Sequence, residues 1–160
     1  MTINGPFIRP AALDDSEALM RMAAAYFEEA GFDYPLDPVS VARSLAMLAQ
    51  DGTMLVVDRN GTAVGMAAAV THPAFFNYGV TLARELFWYV EPAHRRGIGP
   101  RLLQALEAML AERGVTLFDA IAEEGERSIG LSRLLRAGGF APAESIFRKR
   151  LAVVHTNGVG

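Results

Sequence analysis

The chain has 160 residues, of which 51% are hydrophobic and 21% charged, with a formal net charge of −3. That length suits one globular domain, and the composition excludes a disordered chain. The absence of cysteine rules out disulfides, thiolate metal sites and a cysteine nucleophile, and the mild acidity counts against a general nucleic-acid binder, which needs a broad basic face.

Met1 to Arg9 has no apolar run after a basic start, so no secretory signal is expected. The longest apolar stretches, such as Val64 to Val70, are too short to span a bilayer, and a cytoplasmic protein is expected. Phe7-Ile8-Arg9 reads as a short strand stopped at Pro10. Asp14, with Glu17 three residues on, makes an Asp version of a capping box. Leu19, Met22, Ala23, Tyr26 and Phe27 follow at helical spacing as far as Gly31. An aromatic loop, Phe32 to Leu36, leads to Asp37-Pro38, a second helix start. Val41, Leu45 and Leu48 form the buried face of that helix.

Met54 to Val57 reads as a strand, and Asn60-Gly61 is a two-residue hairpin signal. Ala63 to Thr71 returns, its alanines implying a close neighbour. After a polar-aromatic loop, His72 to Gly79, comes a strand from Leu82 to Val90, apolar on both faces at its end and therefore central. Simple alternation puts Glu85, Phe87 and Tyr89 on one face of it and Trp88 on the other. A helix is expected from Pro100 to about Arg113, a strand from Val115 to Ile121, a charged loop from Glu123 to Arg127, a helix from Ser128 with Leu131, Leu134 and Leu135, and a last strand from Ser145 to Leu151. This order predicts an α+β, three-layer fold: a mixed, mostly antiparallel sheet of six to seven strands flanked by about four helices. Residues 5–152 are expected to form one domain, and 153–160 a flexible tail.

The decisive segment is the turn His94-Arg95-Arg96-Gly97-Ile98-Gly99, set between the buried strand and the helix that begins Pro100-Arg101-Leu102-Leu103. Glycines let a backbone approach a ligand and gather N–H groups into one concavity. A helix N-terminus adds unpaired donors and partial positive charge, and Arg95, Arg96 and Arg101 add full charges. Together they make an anion site suited to phosphates. The bland alternative is a solvated turn. A P-loop lacks its Gly-Lys-Ser/Thr here, and a dinucleotide fingerprint needs three spaced glycines in an early βαβ unit.

The segment resembles the coenzyme signature of the GNAT family of N-acetyltransferases: Arg or Gln, two residues, Gly, any residue, Gly or Ala. Phe7-Ile8-Arg9-Pro10 with Asp15, and Gly138-Gly139-Phe140 before Phe147 to Leu151, are similar to that family's first and last elements. Glu85 to Val90 with Pro92, Leu102-Leu103 and Glu107 is similar to acetyltransferase-like proteins of phages and prophages. The resemblance implies acetyl-CoA held in a V between two central parallel strands and no metal. Tyr89 and Val90 would align the pantetheine arm. His94, Arg95, Arg96, Gly97, Ile98, Gly99 and Arg101 would hold the pyrophosphate. It implies direct attack by a small-molecule or protein amine, with Glu85 as base, and a homodimer as a common assembly. Three departures stand out. His94 replaces Arg or Gln in a span one residue short, Pro100 has no N–H to offer, and Leu135 holds the place of a tyrosine that commonly protonates the leaving thiolate. Another group or water would then protonate the thiolate, or catalysis would be weak; Tyr89 is the candidate substitute acid.

Each remaining candidate has two readings. Glu85 is a base or a strand-end carboxylate in water. Trp88 reads as core. His94 supports the turn, and His72 is a loop residue. Phe75, Phe76, Asn77 and Tyr78 with Phe32 and Tyr34 form either an acceptor pocket or a dimer contact. Glu123-Glu124-Gly125-Glu126 attracts a cationic acceptor or is a solvated loop. Three functions follow in order: an acetyl-CoA-dependent N-acetyltransferase, a CoA-binding sensor or phage accessory protein with little or no transferase activity, and a nucleotide- or RNA-phosphate binder. The net charge counts against the last.

Overall fold

Backbone donors and acceptors need partners, and in the computed structural model, which describes residues 6–122 and 128–152, a five-stranded sheet supplies them. β1 (Phe7–Pro10), β2 (Met54–Arg59), β3 (Thr62–Ala74), β4 (Asn77–Val90) and β5 (Val115–Asp119) lie side by side in chain order. The first three pairings are antiparallel and β4–β5 is parallel. The sheet is thus mixed and mostly antiparallel as expected, but it has five strands among the described residues, not six to seven. Ser145 to Leu151 forms no strand. Ile146, Phe147 and Leu151 are exposed, and among the described residues neither that segment nor the outer edge of β5 has a ladder partner. The acidic run within 123–127 and the expected tail 153–160 lie outside the described residues.

Among the described residues there are four α-helices. α1 (Ser16–Ala30) and α2 (Pro38–Asp51) cover one face, where Leu19, Met22, Leu45 and Leu48 pack on Met54, Val56, Met66 and Tyr89. α3 (Ile98–Glu112) covers the other, where Leu102, Leu106 and Leu110 pack on Leu55, Val57, Ala67 and Val90. α4 (Ser128–Ala137) follows β5. Among the described residues no helix is long and apolar enough to cross a membrane.

Local signals act as the sequence suggests in most places. Asp37 accepts from the Ser40 N–H at 3.1 Å, with Pro38 at the first helical position. Asn60 and Gly61 both take positive φ, 55° and 81°. Asp14, however, does not cap α1. The helix starts at Ser16 after a 3-10 turn, Leu13–Asp15, and Asp15 is drawn into a different role. Arg9 reaches both Asp15 (2.8 Å) and Asp58 (2.7 Å), two buried carboxylates. Asp15 also accepts from the Ala12 N–H and Asp58 from the Gly61 N–H, each at 2.8 Å. One guanidinium therefore ties β1 to the start of α1 and to the β2–β3 turn.

The segment read as a loop from His72 to Gly79 is strand instead. β3 and β4 continue as a hairpin past the last β2 partner, Met54↔Ala68, and turn over Phe75-Phe76 alone.

Candidate active site

β4 and β5 stay paired only from Thr81↔Val115 to Arg84↔Asp119. Past that point β5 ends while β4 continues to Val90, and the sheet opens into a cleft of about 390 Å³. Its walls are Glu85, Trp88, Tyr89 and Val90 from β4, Ile121 beyond β5, and Tyr26, Glu29 and Ala30 from the last turns of α1. Arg95, Gly99 and Pro100 of the turn and Leu131 and Leu134 of α4 complete it.

A β-bulge decides which side chains face which wall. Ala69 pairs with Glu85 and Ala68 with Phe87, so Leu86 is an extra residue and the alternation of β4 reverses across it. Glu85 shares the face of Ala69 and Ala83, which pack on the α3 side; Phe87 and Tyr89 pack on the α1 side. The expectation that Glu85, Phe87 and Tyr89 share a face is therefore corrected. Glu85 and Tyr89 both line the cleft, but from opposite faces of the strand. Glu85 is buried at 5% exposure, and its Oε2 accepts from the Ile121 N–H at 3.0 Å. Tyr89 is buried beside Tyr26, with ring centroids 6.3 Å apart. Burial pushes its phenol above the ordinary range, and the Glu29 carboxylate adds to that, against the opposing effect of Arg95.

The glycine turn is held from below. Gly97 sits at φ 71°, a left-handed conformation that favours glycine, and α3 begins directly after it. Gly99 lies on the Trp88 indole, whose Nε1–H donates to the Gly99 carbonyl at 3.0 Å. Trp88 is thus partly core, as expected, and also the clamp that fixes the turn to β4. A helix N-terminus leaves its first N–H groups without intrahelical partners. Pro100 has none and that of Ile98 goes to the Arg95 carbonyl at 3.4 Å, which leaves Gly97 and Gly99 to supply the donors. Arg96 and Arg101 are exposed and make no ion pair among the described residues. His94 accepts from Arg59 through Nδ1 at 3.0 Å and does not line the cleft.

Arg95 is not turned outward. Its Nε donates to the Val90 carbonyl at 2.7 Å, its Nη2 donates to both Glu29 oxygens at 2.9 and 3.0 Å, and its guanidinium lies over the Tyr89 ring, 5.5 Å from the centroid.

Other candidates are dispersed. Phe75, Phe76 and Tyr78 stand exposed at the hairpin tip, whereas Phe32 and Tyr34 pack against Phe27, tilted and edge-on, and among the described residues no ring contact joins the two sets. His72 is exposed, pairs with Leu82 in the β3–β4 ladder, and its ring Nδ1 lies 3.1 Å from its neighbour's carbonyl. Leu135 is buried but does not line the cleft; Leu131 and Leu134 do. Sequence reasoning missed Tyr26 and Glu29. Their three-residue spacing on α1 put them on one side of the helix, but nothing in the spacing showed that this end of α1 meets β4. Among the described residues, no group of three or more His, Asp or Glu is placed to hold a metal ion.

A family model described as the acetyltransferase (GNAT) family matches residues 16–135. Among solved structures, a predicted acetyltransferase from Clostridium acetobutylicum, solved with acetyl-CoA, is 17% identical at a TM-score of 0.73, over 91% of this chain and 96% of that one. An aminoglycoside acetyltransferase from an uncultured soil metagenomic sample, in complex with sisomicin, is 18% identical at 0.67, over 93% and 97%. A ribosomal-protein-alanine N-acetyltransferase from Brucella melitensis biovar Abortus 2308 is 20% identical at 0.70, over 92% and 100%. At these identities the likeness shows the fold. No curated protein matches the chain.

Proposed function

Since the chain belongs to the acetyltransferase (GNAT) family, we propose that residues 5–152 act as one acetyl-CoA-dependent N-acetyltransferase domain that moves the acetyl group to a small-molecule or protein amine. The observation that carries this reading is the forked cleft itself. A strand end with backbone groups, a glycine turn and a helix N-terminus meet at one opening, which suits a long ligand with an apolar arm and a phosphate head.

In this reading the Gly97 and Gly99 N–H groups, Arg96 and Arg101 hold the pyrophosphate, and the Tyr89–Val90 backbone aligns the arm. The amine nitrogen attacks the thioester carbonyl carbon. Glu85, at the apex of the fork, takes the proton that the amine loses, through a water. The C–S bond breaks, the electron pair leaves on sulfur, and the Tyr89 phenol returns a proton to it from the opposite wall. The products are an amide and the free thiol. The raised Tyr89 pKa keeps the phenol protonated in the resting state.

A second reading is favoured by one observation. The α4 residues on the cleft, Leu131 and Leu134, and Leu135 in the family's tyrosine place cannot donate a proton. A CoA-binding protein with little turnover, in a sensor or phage accessory role, would have this wall. Calorimetric titration of purified protein with acetyl-CoA, followed by a thiol-release assay over a panel of amines, decides between them. Binding with thiol release supports the transferase, and binding without release across the panel supports the second reading. No binding by a folded protein overturns both.

A further inference from the structure

The Arg95 side chain lies across the cleft rather than at its rim. It joins the last turn of α1 to the end of β4: Glu29 on one side, the Val90 carbonyl on the other, the Tyr89 ring beneath. All four residues line the cleft. Any ligand that enters to use the backbone at the strand end finds the Val90 carbonyl already accepting from Arg95. Any anion that seeks Arg95 finds a carboxylate already paired with it through both oxygens. The Arg95–Glu29 pair is partly open to water, at 43% and 30% side-chain exposure, so it holds the closed arrangement weakly enough for a stronger anion to displace it.

We propose that Glu29 sets coenzyme affinity by competing with the coenzyme's phosphates for Arg95. When a phosphate takes the guanidinium, Glu29 lets go, Arg95 swings off the Val90 carbonyl, and the same movement opens the strand end to the arm. One ion-pair exchange thereby couples the phosphate end of the site to the strand end. A diphosphate offers Arg95 more charge and more acceptor oxygens than a single carboxylate does, so the exchange runs toward the bound state. The inference rests on the reading of the cleft as a CoA site.

The experiment is calorimetric titration with CoA of wild type, Glu29→Gln, Arg95→Ala and the double variant, each first shown to be folded by its thermal transition. Glu29→Gln should tighten binding by about two- to five-fold, the size expected of a half-exposed ion pair. Arg95→Ala should weaken it, and the double variant should match Arg95→Ala, because the proposed effect of Glu29 on coenzyme affinity runs through Arg95. If Arg95→Ala does not fold, Arg95→Lys, which keeps the charge but loses the planar fork, replaces it in the cycle. Binding by wild type that Glu29→Gln leaves unchanged or weakens overturns the inference and spares the reading of the site. So does a tightening that persists without Arg95, since Glu29 would then repel the phosphates directly. No binding by wild type or Glu29→Gln overturns the reading of the site as well, whereas binding by Glu29→Gln alone supports the competition in its strongest form.

Discussion

The backbone N–H of Ile121 donates to Glu85 Oε2 at 3.0 Å, just past the last pair of β4 and β5. One carboxylate therefore stands at the apex of the fork and pins the chain that leaves β5. Glu85→Gln keeps an acceptor oxygen for Ile121 but removes the carboxylate proposed as the base. It should lower kcat by about 100-fold or more while leaving coenzyme affinity within about two-fold of wild type. Steady-state rates at saturating acetyl-CoA, set beside a binding titration, make the comparison. Collapse of affinity with an intact saturated rate would give Glu85 a positioning role only.

Gly97 and Gly99 are glycines for different reasons, and their alanine variants should differ. At φ 71°, Gly97→Ala forces a left-handed alanine and should cost about 1–2 kcal/mol. A methyl at Gly99 would meet the Trp88 ring at 3.4 Å, ordinary contact, so Gly99→Ala should stay within about 0.5 kcal/mol. Urea unfolding of the pair gives the answer, and equal destabilisation would remove the distinction drawn between them.

Arg9 is expected to matter for stability more than any residue of the cleft. Removing it leaves Asp15 and Asp58 buried without their cation, and Arg9→Met should cost about 3 kcal/mol. The hydrogen bond from Arg9 holds the Asp15 carboxyl below the ordinary carboxylate range. Its contribution is therefore fully present above the unfolded-state pKa and is lost as pH falls through the lower folded-state value. Asp15→Asn should flatten the acid side of the stability profile. An unchanged profile would mean that other carboxylates control acid unfolding.

Tyr89→Phe keeps the ring that packs against Tyr26 and removes the phenol. If the phenol protonates the leaving sulfur, the rate should fall while the melting temperature moves little. The residual rate should fall further for thiol leaving groups of higher pKa. Because burial raises the Tyr89 pKa, wild-type activity should show no alkaline loss from this group until above the ordinary tyrosine range. A Tyr89→Phe variant with the wild-type rate would assign the proton return to water.

How much of this could be read beforehand depends on how local each feature is. The Asn60-Gly61 turn and the Asp37-Pro38 cap are set by residues within a few positions, and both were legible. So was the strand–turn–helix at Arg95 to Gly99. The bulge at Leu86 was not. No glycine or proline marks it, and it is fixed by how β3 and β4 pair across the sheet, so a strict two-residue period put Glu85 on the wrong face. The Arg95–Glu29 pair joins residues 66 apart in the chain, and only the packing of α1 on the sheet brings them together. The last expected strand failed for a related reason: Ser145 to Leu151 has no ladder partner among the described residues.

The two margins of the sheet are unlike. β1 is four residues long and ends in Pro10, whose missing N–H makes it a poor template. β5 has no proline, exposes Leu117, and among the described residues carries no strand on its outer side. Recruitment of a further strand by backbone pairing is therefore directional. A strand supplied by another chain would be taken up at β5 rather than at β1.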